Sequence, residues 1–159
     1  MPTLYVKTGT HYRPVTRDEV IDAAFRFAVR DAAPSGPISG PRDAVAAFPR
    51  LIGARESEAF YAVWLNTANR VLGVEQLFTG TIAGCSVYPR EVVKAALAAN
   101  AASVIFAHNH PSGQLVASAA DITITERLKA ALALVDIAVR DHFVITSEGA
   151  YSLAEHGHL

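Results

Sequence analysis

Along this chain the apolar side chains switch repeatedly between a spacing near 3.6 residues and a spacing of two, and the switches mark out its elements. After a short extended opening, Thr16 stands where a helix N-cap belongs, with Glu19 three residues on, the pattern of a capping box. Val20, Ala24, Phe27 and Ala28 then recur at helical spacing and predict one apolar face. The run Ala33-Pro34-Ser35-Gly36-Pro37-Ile38-Ser39-Gly40-Pro41 ends that pattern, because proline and glycine so closely placed sustain neither helix nor strand. It reads as a linker. The chain therefore divides into a short strand-and-helix segment with its linker over 1–40 and a larger domain over 41–159. No internal repeat appears.

Beyond the linker the spacing predicts a short helix over Pro41–Leu51 and an aromatic, β-branched strand over Phe60–Leu65. Asn69 marks a turn and Val71–Thr81 a second strand, so the pair forms a hairpin. Pro89 suits the first turn of a helix running to about Ala99, with Asn100 as its stop. Ser103–Ala107 is continuously apolar, as a strand buried on both faces must be. A helix begins near Ser118 and carries Leu128, Ala131, Leu132 and Val135 on one side; Ile137–Thr146 and Tyr151–Leu153 close the chain as strands. Strands and helices mixed around one core give an α/β (α+β) layered domain.

Composition narrows the function classes. Half the residues are apolar and 18% are charged, enough for a sizeable core and incompatible with global disorder. The net charge of −1, and eight basic against seven acidic side chains in the first sixty residues, give no overall field or basic arm to support nucleic acid as a partner, and leave only a local basic patch open. Cys85 is the one cysteine, which excludes an intramolecular disulfide and any multi-cysteine metal site; it reads as a small packed residue. The opening residues show no signal-peptide pattern, and Lys94, Asn100, Lys129 and Asp136 interrupt the apolar runs short of membrane-spanning length. A cytoplasmic protein without membrane partners is expected. The oligomeric state is not legible.

The chemistry concentrates in Ala107-His108-Asn109-His110-Pro111-Ser112-Gly113 and Ser118-Ala119-Ala120-Asp121. Two residues apart in extended backbone, His108 and His110 point to the same side and can converge on one ion, while Asn109 points to the other face in an orienting role. Pro111 and Gly113 turn the chain so that the next helix brings Asp121 to a third coordination position. Two imidazoles and a carboxylate leave a fourth position for water, the donor set of a hydrolytic Zn2+ centre with one ion per chain. Ser118, one helical turn before Asp121, is placed to donate to a substrate carbonyl oxygen as charge develops there. Ser118-x-x-Asp121 is equally a capping box, and Pro-Ser-Gly is turn chemistry in any protein. The joint spacing, His-x-His, seven residues, Ser, two residues, Asp, after an apolar strand and opening a helix, is much harder to reach by accident.

This segment resembles the JAMM motif of the MPN metallopeptidases, and His108-Asn109-His110-Pro111-Ser112-Gly113 is similar to the corresponding stretch of the RadC family, bacterial proteins historically linked to DNA repair. Asn69-Arg70-Val71, Gly80-Thr81, Pro89-Arg90-Glu91 and Asp141-His142-Phe143-Val144 match the RadC pattern as well, so the resemblance covers roughly 40–159. It implies a mixed sheet flanked by helices in a cytidine-deaminase-like layered arrangement. It also implies a zinc metallopeptidase acting on a peptide or protein, and a glutamate just before the first core strand as acid/base. Glu58 matches that position, with Glu56 two residues away as the alternative. A helix-hairpin-helix-like segment, frequent at the N-terminus of RadC proteins, is not evident in the opening stretch.

Other readings compete with this one. A non-catalytic DNA-repair accessory or interaction module with a structural metal site is the principal alternative. The string His-Asn-His does not have the spread of an HNH nuclease. His142 beside Asp141 reads first as a structural histidine at a strand end and second as a residue supporting or facing the site. Arg90 either lines the site or sits in the helix dipole region, and His156-Gly157-His158 reads as a frayed tail.

Overall fold

The structure is a computed structural model that describes residues 3–32, 36–40, 43, 52–80 and 86–159. The extended opening is a hairpin of β1 (Tyr5–Thr8) and β2 (His11–Pro14). Gly9, at φ 62°, supplies the positive φ of the two-residue loop between Thr8 and its partner His11. Helix α1 (Arg17–Ala32) follows and opens on the expected capping box. Thr16 Oγ1 accepts from the Glu19 N–H at 3.2 Å, and the Glu19 carboxylate accepts from the Thr16 N–H at 2.8 Å.

The inward face of α1 differs from the apolar stripe that the spacing predicts. Phe25 is fully buried against the Tyr61 ring, whereas Val20 and Phe27 are exposed; the side chain of Ala28 lies outside the described residues. Asp18 and Asp22 share the inward face with Phe25, since positions 18, 22 and 25 line one side of a helix. The cause is Arg55, a buried guanidinium that pairs with Asp18 at 3.3 Å and with Asp22, and donates to the Tyr61 hydroxyl at 3.1 Å. An unpaired charge at that depth would be costly, so the helix turns its carboxylates inward.

The main sheet contains β3 (Ala59–Leu65), β4 (Val71–Thr79), β5 (Ser103–Asn109), β6 (Ala138–Ile145) and β7 (Ala150–Ser152), in the order β4-β3-β5-β6-β7. Only β5 and β6 run parallel; the other neighbours are antiparallel. A parallel pair needs a crossover, and α3 (Ala119–Ala133) provides it. α2 (Pro89–Ala98) packs on the same face as α3, through Val92 and Ala96 beside Leu128 and Leu132. The other face carries Phe25 and Ile52.

Both faces of β3 and β5 are thus covered, which explains their uninterrupted apolar runs. Phe60, Ala62 and Trp64 face α2 and α3, while Tyr61, Val63 and Leu65 face α1. This is the expected mixed sheet with flanking helices. Asn69 and Asn100 adopt positive φ, at 55° and 52°, where the sequence places a turn and a helix stop; Asp136 does the same at 58° after α3. The expected helix over Pro41–Leu51, Thr81 and Cys85 lie outside the described residues, save Asp43, which is helical. Among the described residues no helix is long and apolar enough to cross a membrane.

One irregularity matters for the site. Val104 pairs with Val139 but Ile105 pairs with Asp141, so Arg140 is bulged out of the β5–β6 ladder. Ile137 and Val139 pack toward α3, whereas Phe143 and Ile145 pack toward α1. Strict alternation would have kept all four on one face. The bulge reverses the faces and turns His142 toward α3, behind His108.

Candidate metal centre

β5 runs past the sheet centre and ends with His108 on the α3 side, opposite Phe60 in the register with β3. The His110 N–H still bonds the Ile145 carbonyl at 2.9 Å, which keeps the chain extended long enough to bring both imidazoles to one side. Then the Gly113 N–H closes onto the His110 carbonyl at 3.0 Å, a tight turn with proline in its second position. Gly113 sits at φ 79°, a conformation that favours glycine. The loop leads to Ser118, the N-cap of α3, and Asp121 occupies the third helical position.

His108, His110 and Asp121 meet there, with one ligand atom from each within 4.8 Å of the others. The two Nε2 atoms are 3.0 Å apart, and Asp121 oxygens lie 3.1 Å from His108 Nε2 and 3.4 Å from His110 Nε2. Two imidazole nitrogens and a carboxylate so close need a shared proton or a metal ion between them, so these residues can hold a metal ion. His110 Nδ1 donates to the Gln114 carbonyl at 2.9 Å, which leaves its Nε2 free for that role.

The Asp121 carboxylate is held from its other side. Ser118 donates to Oδ2 through its amide at 2.7 Å and through its hydroxyl at 2.6 Å. The capping-box reading of Ser118 is therefore the geometry present, and it coexists with the cluster. Burial opposes ionisation of Asp121, but hydrogen bonds from His108 and His110 hold its carboxyl far below the ordinary carboxylate range. The bond to Asp121 raises His110 against burial, and Glu58 adds a smaller push in the same direction.

Glu58, half-buried, lines a cavity of about 160 Å³ together with Phe60, His108 and Asp121. Glu56 is exposed and paired with Arg17 at 3.1 Å, directed to α1 and away from the cluster. Asn109 sits on the opposite face of β5 from the histidines and brackets Glu58. Its Oδ1 accepts from the Ala59 N–H at 2.8 Å, and its Nδ2 donates to the Ser57 carbonyl at 3.1 Å. A larger groove of about 460 Å³ between α1 and β4 is lined by Phe27, Leu72, Val74 and Arg26, with no imidazole or carboxylate in its described lining. The candidate ligand cluster and Glu58 therefore meet in the smaller cleft.

His142 is the residue whose place sequence reasoning ranked second. It is fully buried, and its Nε2 lies 2.8 Å from His108 Nδ1. Burial pushes it well below the ordinary histidine value, so it is neutral. Its Nδ1 lies 2.6 Å from the hydroxyl of Thr125, a residue for which the sequence carried no signal beyond its place on α3. Arg90 is exposed and pairs with Glu91 at 3.0 Å. His156 is not frayed: it stacks on Tyr151 at 3.9 Å and its Nδ1 donates to the Ser152 carbonyl at 2.7 Å.

A family model described as the RadC-like JAB domain matches residues 38–158. A UPF0758 protein of Thiobacillus denitrificans is 52% identical over 141 residues, covering 88% of this chain and 62% of the relative. UPF0758 proteins of Janthinobacterium sp. and Cellvibrio japonicus are 56% and 59% identical over 109 and 102 residues, or 69% and 64% of this chain and 49% and 46% of theirs. The chain thus spans about half the length of the curated relatives it matches. With the matched region containing the whole five-stranded sheet, α2, α3 and the ligand cluster, the chain belongs to the RadC-like JAB domain family.

Proposed function

We propose that the chain is a zinc-dependent metallohydrolase that cleaves an amide in a peptide or protein, with His108, His110 and Asp121 holding the ion. The observation that carries this reading is the donor set and its spacing. Zinc bonded at 2.0–2.1 Å in a tetrahedron separates its ligand atoms by about 3.3 Å. Here the two Nε2 atoms stand 3.0 Å apart, and each faces one oxygen of the Asp121 carboxylate, His108 facing Oδ1 at 3.1 Å and His110 facing Oδ2 at 3.4 Å. Zinc held there supplies Lewis acidity, acidifying water and polarising a carbonyl.

The chain's own residues do the rest. Glu58, on the cleft wall with His108 and Asp121, takes the proton of the attacking water and returns it to the leaving amine nitrogen. Phe60 and Ile124 line the same cleft and exclude bulk water from that transfer. Ser118 turns its hydroxyl to the substrate carbonyl oxygen as negative charge grows, while its amide alone keeps Asp121 Oδ2 capped. Glu56, committed to Arg17 on the surface, takes no part.

The test has two arms. Metal analysis of purified protein is expected to find about one zinc per chain. Glu58→Gln should keep that zinc and lower hydrolysis of a peptide or isopeptide library by at least about 100-fold. Full activity in Glu58→Gln would remove Glu58 from the mechanism. Sub-stoichiometric zinc with unchanged folding after chelation would support a non-catalytic module instead.

A further inference from the structure

We propose that His142 is a positioning residue of the metal centre, fixing His108 in the tautomer whose Nε2 lone pair faces the ion. The proposal rests on the metal-site reading above and adds a device behind it. His108 can serve through Nε2 only if its proton is on Nδ1, and that atom faces His142 Nε2 at 2.8 Å. His142 must therefore offer a lone pair at Nε2 and carry its own proton on Nδ1. That proton faces the Thr125 hydroxyl oxygen at 2.6 Å. Thr125 in turn donates to the Asp121 carbonyl at 2.5 Å, a separation between two oxygens that requires the hydroxyl proton to lie between them.

The direction of the whole chain follows from that last bond. Thr125 has one hydroxyl proton, already given to Asp121, so it accepts from His142, and His142 accepts from His108. The reverse chain would put a proton on His108 Nε2 and remove a ligand. Both ends of the relay meet the cluster: one at the His108 ring, the other at the main chain of Asp121. Among the described residues the His142 ring has no other hydrogen-bond partner. His142 is 0% exposed, Thr125 is 1% exposed, and Phe60 and Phe106 pack edge-on to the His142 ring at 5.2 and 6.0 Å. Water cannot substitute for a missing link there. The β-bulge at Arg140 is what delivers His142 to this face.

Thr125→Val keeps the shape of the side chain and removes the acceptor. With Nδ1–H left unpaired, His142 gains by moving its proton to Nε2, against His108. Zinc affinity, read by competition with a chromophoric chelator, is expected to fall about 10- to 100-fold, and Thr125→Ser is expected to restore it. Long-range nitrogen–proton NMR of the wild-type histidine rings should show Nδ1–H on both His108 and His142. Affinity in a folded Thr125→Val within twofold of wild type, or Nε2–H on His142 in the wild type, would overturn the proposal. Should the valine variant fail to fold, the wild-type tautomers decide the matter. A wild type that takes up no zinc refutes the metal-site reading instead, and the tautomers of the metal-free protein still test the relay.

Discussion

Replacing Asn109 with alanine isolates the device that holds Glu58 in place. Asn109 makes one hydrogen bond to residue 57 and one to residue 59, so the backbone on both sides of Glu58 is pinned to β5. Asn109 is 0% exposed and Ala59 is 0% exposed, so water cannot replace the partner lost by the Ala59 N–H. Two hydrogen bonds at about 1 kcal/mol each, with one buried N–H left unsatisfied, put the cost at about 2–4 kcal/mol. For a chain of this length that corresponds to a fall in Tm of about 4–16 °C. Calorimetric unfolding of the metal-free protein reads this directly. Because Asn109 faces away from the histidines, zinc affinity should change by less than a few-fold. Asn109→Asp keeps the acceptor for Ala59 but sets an oxygen against the Ser57 carbonyl, so it should not rescue. A loss below about 1 kcal/mol in Asn109→Ala, or an Asn109→Asp variant melting with the wild type, would refute the pinning argument.

Arg55→Met should destabilise the chain by about 3 kcal/mol in urea titration, since it strands Asp22, whose side chain is 13% exposed, beside the buried Tyr61 hydroxyl; an unchanged midpoint would mean that the buried pairing adds nothing net to the docking of α1. Glu19 offers a pH test away from the site. Its bonds to Arg13 and to the Thr16 amide lower its pKa to about 2. A depressed folded value means that its contribution is present above the unfolded value near 4.5 and is lost as pH falls toward 2. Carboxyl NMR titration should give a midpoint near 2 in the wild type and a clearly higher one in Arg13→Ala, still lowered by the Thr16 amide.

The cluster of His108, His110 and Asp121 was legible because its logic is local. A period-two strand end, a Pro-Ser-Gly turn and a capped helix start act within fourteen residues, so spacing alone predicts convergence. The same holds for β5, whose unbroken apolar run announces burial on both faces, and for the capping boxes at Thr16 and Ser118. The face of α1 was not legible. Hydrophobicity ranks Val20 and Phe27 above two aspartates, and only a buried Arg55, far along the chain, makes Asp18 and Asp22 inward residues.

Glu58 and Glu56 are likewise indistinguishable in sequence. What separates them is a surface pairing with Arg17 thirty-nine residues away and the path of the β5–β3 register past Phe60. His142 shows the limit most clearly. Alternation from Ile137 and Val139 would set it on the face opposite His108. A single bulged residue, Arg140, reverses that, and no local signal marks the bulge, because it arises from fitting two parallel strands of unequal residue count. The sequence by itself determined which side chains converge in the His108, His110 and Asp121 cluster and that the central strand is buried, because those depend on short-range spacing. The tertiary structure decided which carboxylate faces the cleft and which histidine stands behind the ligand, because those depend on register and on charges that meet only after folding.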